Sequence, residues 1–341
     1  LTSTPKALAG RLPTFTLAAR ALACAAALCL TNMANVAHAE ERYPTRPITL
    51  VVPFAPGGNI DTTARIISAE LGRQLGQSVV VENRAGAGGV IGATYVARAK
   101  PDGYTLLLGN SGPNAVANAV SKRVPYDGVT SFTPIAAITT NPSVLTVATK
   151  VPAADFKSFQ QYAHGREQGV TVGIAGYGSY THLVAALIND KGALKATIVP
   201  YKGTGPAATD LMGQQLDAMV DQITTAAPLV RDGRVKAVAQ LGDKRSPLLP
   251  DVPTMAEQGH PELTAIIYTG LFGPAGMPAD VTARLAQAMD KVRQDAGVRQ
   301  RFQEVGADVS TLTAAQFPDY VRAEAQRWAT AAQQAHVSVD D

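Results

Sequence analysis

The stretch Ile48-Thr49-Leu50-Val51-Val52-Pro53-Phe54-Ala55-Pro56-Gly57-Gly58-Asn59-Ile60-Asp61 decides the fold class. Its first five residues are mostly apolar and β-branched, the composition of a buried strand. Residues 53–58 read as a turn, and Asp61 opens a helix on which Ala64, Ile67, Leu71 and Leu75 share one face. Asp61 and Arg65 stand one helical turn apart, with the acid at the end that the helix dipole favours. A strand entering a helix through a glycine turn is the start of a βα unit.

The unit recurs along the chain. Strands are expected at 79–81, 104–108, 143–148, 170–174, 197–200, 216–221, 235–240 and 266–272. Helices are expected at 89–99, 155–166, 180–189 and from 205 to 211, then at 278–295, 297–305 and 314–335. Repeated βα units imply an α/β protein with mainly parallel sheets. No linker or low-complexity tract separates two halves, so two lobes would be joined by crossover strands, with 140–148 going out and 264–272 coming back. The division expected is 1–39 as a leader, 40–141 plus 265–341 as a first lobe, and 142–264 as a second.

Three corners carry the chemistry. In the first, the free N–H groups at the helix start after Gly57-Gly58 suit an anion. No lysine follows in the pattern of a nucleoside-triphosphate loop. In the second, Gly176-Tyr177-Gly178-Ser179-Tyr180-Thr181-His182, Ser179 reads as a helix cap. Ser179, Thr181 and backbone N–H groups there are candidate carboxylate holders, and His182 is either a ligand donor or a packed structural residue. In the third, Val199-Pro200-Tyr201-Lys202-Gly203-Thr204-Gly205-Pro206, Pro206 suits a first helical turn. Lys202 reads either as a surface residue or as a ligand contact. A fourth glycine cluster, Gly86, Gly88, Gly89 and Gly92, misses the G-x-G-x-x-G spacing of a dinucleotide site by one residue and reads as a structural turn.

Catalysis is hard to assemble. Of the five histidines, His38, His164, His182, His260 and His336, none has zinc-site spacing, and no G-x-S-x-G elbow occurs. Both cysteines, Cys24 and Cys29, lie in an N-terminal stretch with basic residues, a short apolar core at 21–30 and Ala37-His38-Ala39. That is the pattern of a secretory signal peptide cleaved after Ala39, which implies an exported, periplasmic protein. Of 30 basic residues, Lys6, Arg11 and Arg20 fall in this leader, leaving 27 basic against 27 acidic. A neutral remainder gives no reason to expect nucleic acid.

These motifs stand in the order of a known family. Tyr43-Pro44-x-Arg46-Pro47-Ile48, the VVPFAPGG turn with Asp61 and Arg65, VVVENRAGAGG at 79–89 and Pro101-Asp102-Gly103-Tyr104-Thr105 all match it. So do Gly178-Ser179-x-x-His182-Leu183, Val199-Pro200-Tyr201-Lys202-Gly203 and Pro250-Asp251-Val252-Pro253-Thr254. Over about 43–330 the chain resembles the Bug family of extracytoplasmic solute receptors, which serve tripartite tricarboxylate transporters. The resemblance implies a type II periplasmic-binding-protein fold, two α/β lobes joined by crossover strands with a cleft between them. It implies a small carboxylate or amino-acid ligand, no cofactor, no metal and no catalysis, with a monomer delivering ligand to membrane transporter subunits or a sensor protein. The ligand residues it implies are Phe54, Ala55, Pro56, Gly57, Gly58 and Asn59 on one side, and Gly178, Ser179, Tyr180, Thr181 and His182 on the other. Asn110, Ser111, Gly203, Pro206 and Ala207 would line the rest. Asp221 is either a partner for a ligand amine or a solvated rim residue. Gly213-Gln214-Gln215 and Ile267-Tyr268 depart from the family pattern and put the specificity in doubt. The alternative class is an exported α/β enzyme, a hydrolase or nucleotide-cofactor enzyme, using the Ser179–His182 pair or the glycine cluster. An effector domain of a transcription factor would need a helix-turn-helix segment, which the sequence does not show.

Overall fold

The strand read at 48–52 forms as β1 (Ile48–Val52), with all but Thr49 buried. It feeds α1 (Asn59–Leu75), which begins two residues before Asp61 because Gly58 takes the cap position in extended backbone. The structure, a computed structural model, describes residues 2–4 and 43–340. The expected leader and its cleavage after Ala39 therefore fall, apart from residues 2–4, outside the described residues.

The chain continues through β2 (Val79–Asn83), α2 (Val90–Ala97) and β3 (Thr105–Asn110) to a π-helical turn and α3 (Ala117–Val120). Next comes β4 (Phe132–Val147), sixteen residues long. The sequence signals only its end, because Pro134 and Pro142 read as strand breakers. Shifts of register after Pro134 and Ala137 let the strand run on. Then follow α4 (Phe156–His164), β5 (Val170–Ile174), α5 (Tyr180–Lys191), β6 (Ala196–Pro200), α6 (Thr204–Met212), β7 (Ala218–Gln222) and α7 (Ile223–Arg231). The last elements are β8 (Lys236–Gln240), β9 (Ile266–Pro274), α8 (Ala279–Gln294), α9 (Ala296–Val305), β10 (Asp308–Val309) and α10 (Phe317–Gln334).

The strands lie in the order β2-β1-β3-β9-β4-β7-β5-β6, with β8 and β10 also pairing β4. β1 pairs β2 and β3 in parallel, and β5 pairs β6 and β7 in parallel. Every pairing that involves β4 or β9 is antiparallel. The expected parallel sheet is thus corrected at its centre. Helical crossovers keep strands parallel within each half, but β4 and β9 are neighbours carrying the chain in opposite directions. β4 belongs to both halves: it pairs β9 up to Pro142, and Ser143 onward pairs β7 and β8.

Each half has its own core. Phe132, Tyr268, Phe272 and Phe317 fill the first, and Phe156, Phe159, Tyr180, Leu183 and Trp328 the second. Trp328 on α10 meets the Tyr180 ring edge-on at 5.2 Å and donates its indole N–H to Glu324 at 2.9 Å. The C-terminal helix therefore seats the first residue of α5. Among the described residues no helix is long and apolar enough to cross a membrane.

Candidate functional site

Four helices start around one small cavity of about 30 Å³. Each follows a strand whose carboxyl end faces the same space, the place where open α/β sheets hold ligands. The α1 start supplies Gly58, Asn59 and Ile60, and the α5 start supplies Ser179, Tyr180 and Thr181. Thr204 opens α6 and Gln222 precedes α7, while Phe54, Asn110, Ala175 and Ile267 close the wall. None of these twelve side chains carries a formal charge. A helix start leaves backbone N–H groups without intrahelical partners and carries a partial positive charge. Four of them converging make a site for an anion without a lysine or arginine.

Hydrogen bonds hold these corners in place. Gly57 N–H donates to Asp61 at 3.0 Å, and Arg65 binds both Asp61 oxygens at 2.9 and 3.0 Å. Asn83 Nδ2 donates to Asp61 and to Phe54 O, each at 3.0 Å. Burial works to raise the Asp61 carboxyl, but the bonds from Arg65, Gly57 N–H and Asn83 outweigh it and hold it below the usual carboxylate range. The Asp61–Arg65 pair read from the sequence thus braces the turn at 54–57 and does not line the cavity. On the other side Ser179 Oγ accepts from His182 N–H at 3.2 Å, and Thr181 Oγ1 accepts from Ala175 N–H at 2.8 Å. The Tyr180 hydroxyl meets Ser143 Oγ at 3.0 Å, and burial pushes its phenol well up.

Of the residues expected at the site, Phe54, Gly58, Asn59, Asn110, Ser179, Tyr180 and Thr181 meet in this wall. Ala55, Pro56 and Gly57 sit on the outer side of their turn. Pro56, Gly57 and Pro206 share an outward hollow between α6 and α7. Gly178 and Pro206 edge another hollow, of about 750 Å³, that opens beside Tyr177 and Lys202. Ser111 is buried and accepts from Tyr268 N–H at 3.3 Å, Gly203 packs on Ala55, and Ala207 lies in the core. His182 is the packed residue of the two readings: its Nδ1 accepts from Gly178 N–H at 3.3 Å, its ring meets Tyr177 edge-on, and burial lowers its pKa so that it is neutral. Lys202 is exposed, and its carbonyl accepts from Ala55 N–H at 2.9 Å.

Asp221 lies behind Gln222 and is 1% exposed, so it is no solvated rim residue. Burial raises its carboxyl to about 6, with hydrogen bonds from Thr225, Gln222 N–H and Thr204 pulling part of the way back. The folded chain therefore holds this proton more tightly than the unfolded one. The contribution of Asp221 to stability is greatest below about pH 4 and falls as pH rises to about 6, where the loss is complete. The loss is on the order of 3 kcal/mol. Asp221→Asn is expected to melt several degrees above the parent at pH 7, with the gap closing toward pH 4. Melting curves across that range check it, and equal melting temperatures at pH 7 would refute it.

The turns of the two halves touch. A Cβ on Gly205 would lie 2.5 Å from Pro56 O, and one on Gly58 would lie 2.8 Å from Thr204 Oγ1. The glycine cluster at 86–89 joins this seam. A Cβ on Gly88 would overlap Tyr177 O and sit 2.7 Å from Ser179 N.

Comparison with known proteins places this geometry. The family model described as the tripartite tricarboxylate transporter family receptor matches residues 63–336. BugT of Bordetella pertussis is 35% identical over 290 residues, covering 85% of this chain and 89% of that one. The chain belongs to this receptor family. Solved structures of similar proteins superpose over nearly their whole length. MatC from Rhodopseudomonas palustris, with bound malate, is 38% identical with a TM-score of 0.82, over 85% of this chain and 99% of that one. A second R. palustris protein, with adipate, is 32% identical with a TM-score of 0.83, over 87% and 99%. This chain therefore has the fold of the family's binding proteins, and the enzyme alternative falls away with that membership.

Of the other wall residues, Ile60 and Ala175 went unread in the sequence, Ile267 was read only as a departure from the family pattern, Thr204 falls in the 203–207 loop expected to line the site, and Gln222 adjoins Asp221 at the expected far end of the ligand. Ile60, Ala175 and Thr204 sit inside or beside the three quoted corners. The helix start after Gln222 was missed because α7 carries Pro228 in its interior, which reads as a helix breaker. Ile267 reaches the wall only through the pairing of β9 with β4.

Proposed function

We propose that this chain is a periplasmic receptor for a small carboxylate, gripped between the starts of α1 and α5 and completed by α6 and α7. The convergence of four uncharged helix starts on one cavity carries the reading. Each charge-assisted hydrogen bond to a carboxylate contributes about 1.5–3 kcal/mol. The residues that hold ligand are Phe54, Gly58, Asn59, Asn110, Ser179, Tyr180 and Thr181 with Thr204 and Gln222. The two lobes are 40–141 with 265–341, and 142–264, with the end of α10 packed across onto the second core, and they move about β4 and β9. The turns of the two halves already touch, Gly205 against Pro56 O and Gly88 against Tyr177 O, so a ligand enters when the lobes part. The structure then represents the closed form, and its seam of turns is what a membrane transporter subunit or sensor reads. Secretion with removal of residues 1–39, and action as a monomer, belong to the same reading.

The test is a thermal-shift screen of residues 40–341 with mono-, di- and tricarboxylates, acidic and neutral amino acids, and NAD. A ligand at 100 times its Kd stabilises by about 2.7 kcal/mol, a rise of several degrees at this size. A hit among the acids is expected. A shift with NAD alone, or turnover of a bound acid, would overturn the reading.

A further inference from the structure

The cavity wall is uncharged, yet a carboxyl lies directly behind it. Asp221 is buried near the end of β7, just before Gln222 at the α7 start. Its Oδ1 accepts from Gln222 N–H at 2.8 Å, and the Thr204 and Thr225 side chains also bond to it. Thr204 and Gln222 are wall residues themselves. Thr204 Oγ1 also lies 2.8 Å from where a Cβ on Gly58 would stand, at the α1 start. A carboxylate resting on that start is thus separated from Asp221 by little more than the Thr204 hydroxyl, two hydrogen-bond lengths or about 6 Å. No cation compensates Asp221. The flanking strands β4 and β5 carry no ionisable side chain. On α5, Lys191 pairs with Asp190 at the far end, the Tyr180 hydroxyl meets Ser143, and His182 is neutral with its Nδ1 turned to Gly178. Asp210 on α6 accepts from the Tyr201 hydroxyl, and Arg231 is exposed at the end of α7. On α1, Asp61 pairs with Arg65 and Glu70 with Arg73. Hydrogen bonds alone support the Asp221 charge, and burial favours its neutral form.

With Asp221 ionised, the anion site already has a negative charge behind it. A second anion about 6 Å away, at an effective dielectric of about 20, shifts Asp221 toward its neutral form by roughly 10- to 100-fold. The neutral acid fits the same surroundings: one oxygen still accepts from Gln222 N–H, and the other donates to a threonine hydroxyl, which can reverse its role. From this we infer that the receptor takes up a proton on Asp221 together with its carboxylate, and that affinity falls as pH rises. The sign follows from linkage. The ligand favours the protonated form, so a proton favours the ligand by the same factor. This rests on the carboxylate reading above and adds a proton to what the site binds.

The test is calorimetry of the 40–341 chain with malate, succinate, adipate, glutamate and citrate, in buffers of differing ionisation enthalpy, which count the protons exchanged. With Asp221 titrating at about 6 in the empty protein, the acid that binds best is expected to weaken by about 5–50-fold between pH 5.5 and pH 8. It should bring with it about half a proton or more near pH 6.5. Asp221→Asn imitates the neutral acid. That variant should bind at pH 8 nearly as tightly as the parent does at pH 5.5 and take up no proton beyond what the acid itself exchanges. A merely structural role for Asp221 would leave the pH profile unchanged in the variant. His182→Gln, which removes the other group near the wall that titrates around neutral pH, should keep the uptake whatever its affinity, and so decides the matter if Asp221→Asn does not fold. Binding without proton uptake by the parent overturns this inference and leaves the carboxylate reading standing. Uptake that persists in Asp221→Asn, or that vanishes in His182→Gln, assigns the proton elsewhere and overturns it too. No binding by any acid removes the carboxylate reading, and this inference with it.

Discussion

Gly88→Ala is expected to weaken ligand binding by about 5–150-fold without any contact to the ligand. Gly88 has φ of 63°, which costs a side-chain-bearing residue about 1 kcal/mol in any state of the protein. The larger effect is steric. The new Cβ would overlap Tyr177 O and sit 2.7 Å from Ser179 N, so both obstacles are backbone and neither can rotate away. Restoring ordinary van der Waals separation, about 3.5 Å, moves the turns apart by about 1 Å. Overpacking of this kind costs about 1–3 kcal/mol. Charged only to the closed form, that becomes the stated loss of affinity. Gly86→Ala is the control. Its φ of 138° is also positive, but its Cβ meets only the side chain of Ile91 next to it. That variant should bind like the parent. Calorimetry with any acid from the screen compares the three. Parent-like affinity in Gly88→Ala would show that the seam is not part of the bound state.

The glycine cluster shows how far the sequence could be read. Its broken spacing excludes a dinucleotide site, and a turn is what forms. That this turn meets Tyr177 and Ser179, about ninety residues away, depends on how the halves pack, which no local pattern encodes. The corners themselves were legible because glycine, a capping residue and an apolar helix face coincide at each. Strand order was not. Pro134 and Pro142 masked most of β4, so the antiparallel centre of the sheet was missed. Asp61, Arg65 and Asn83 carried the family resemblance, yet they brace the turn behind the cavity. Recurrent residues thus marked the site's frame more than its wall.

Gly58→Asp is expected to abolish carboxylate binding, by about a thousandfold, while leaving the fold intact. Gly58 is the α1 cap, with φ of −90° and ψ of 175°, extended backbone open to any residue. Aspartate is among the best residues at that position, so helix α1 loses nothing. Its Cβ would approach Thr204 Oγ1 at 2.8 Å, so this hydroxyl shifts at the expense of its hydrogen bond to Asp221, while the nearest backbone atom is 3.6 Å away. The carboxylate would then stand in the cavity wall and take the N–H groups that we propose for the ligand. It would also repel the ligand's charge: two unit charges about 4 Å apart near a protein surface interact by about 4 kcal/mol, close to three powers of ten in affinity. Gly58→Asn separates charge from bulk. It has nearly the same shape and caps well but carries no charge, so it should lose far less than the aspartate. Binding of the best acid is measured for all three proteins at low and high salt, alongside their melting temperatures without ligand. Parent-like melting with lost binding in Gly58→Asp, and much of it kept in Gly58→Asn, places the ligand's carboxylate at the α1 start. Equal losses in both variants would mean that bulk against Thr204 is what matters. Unchanged affinity in Gly58→Asp would move the anion to another corner.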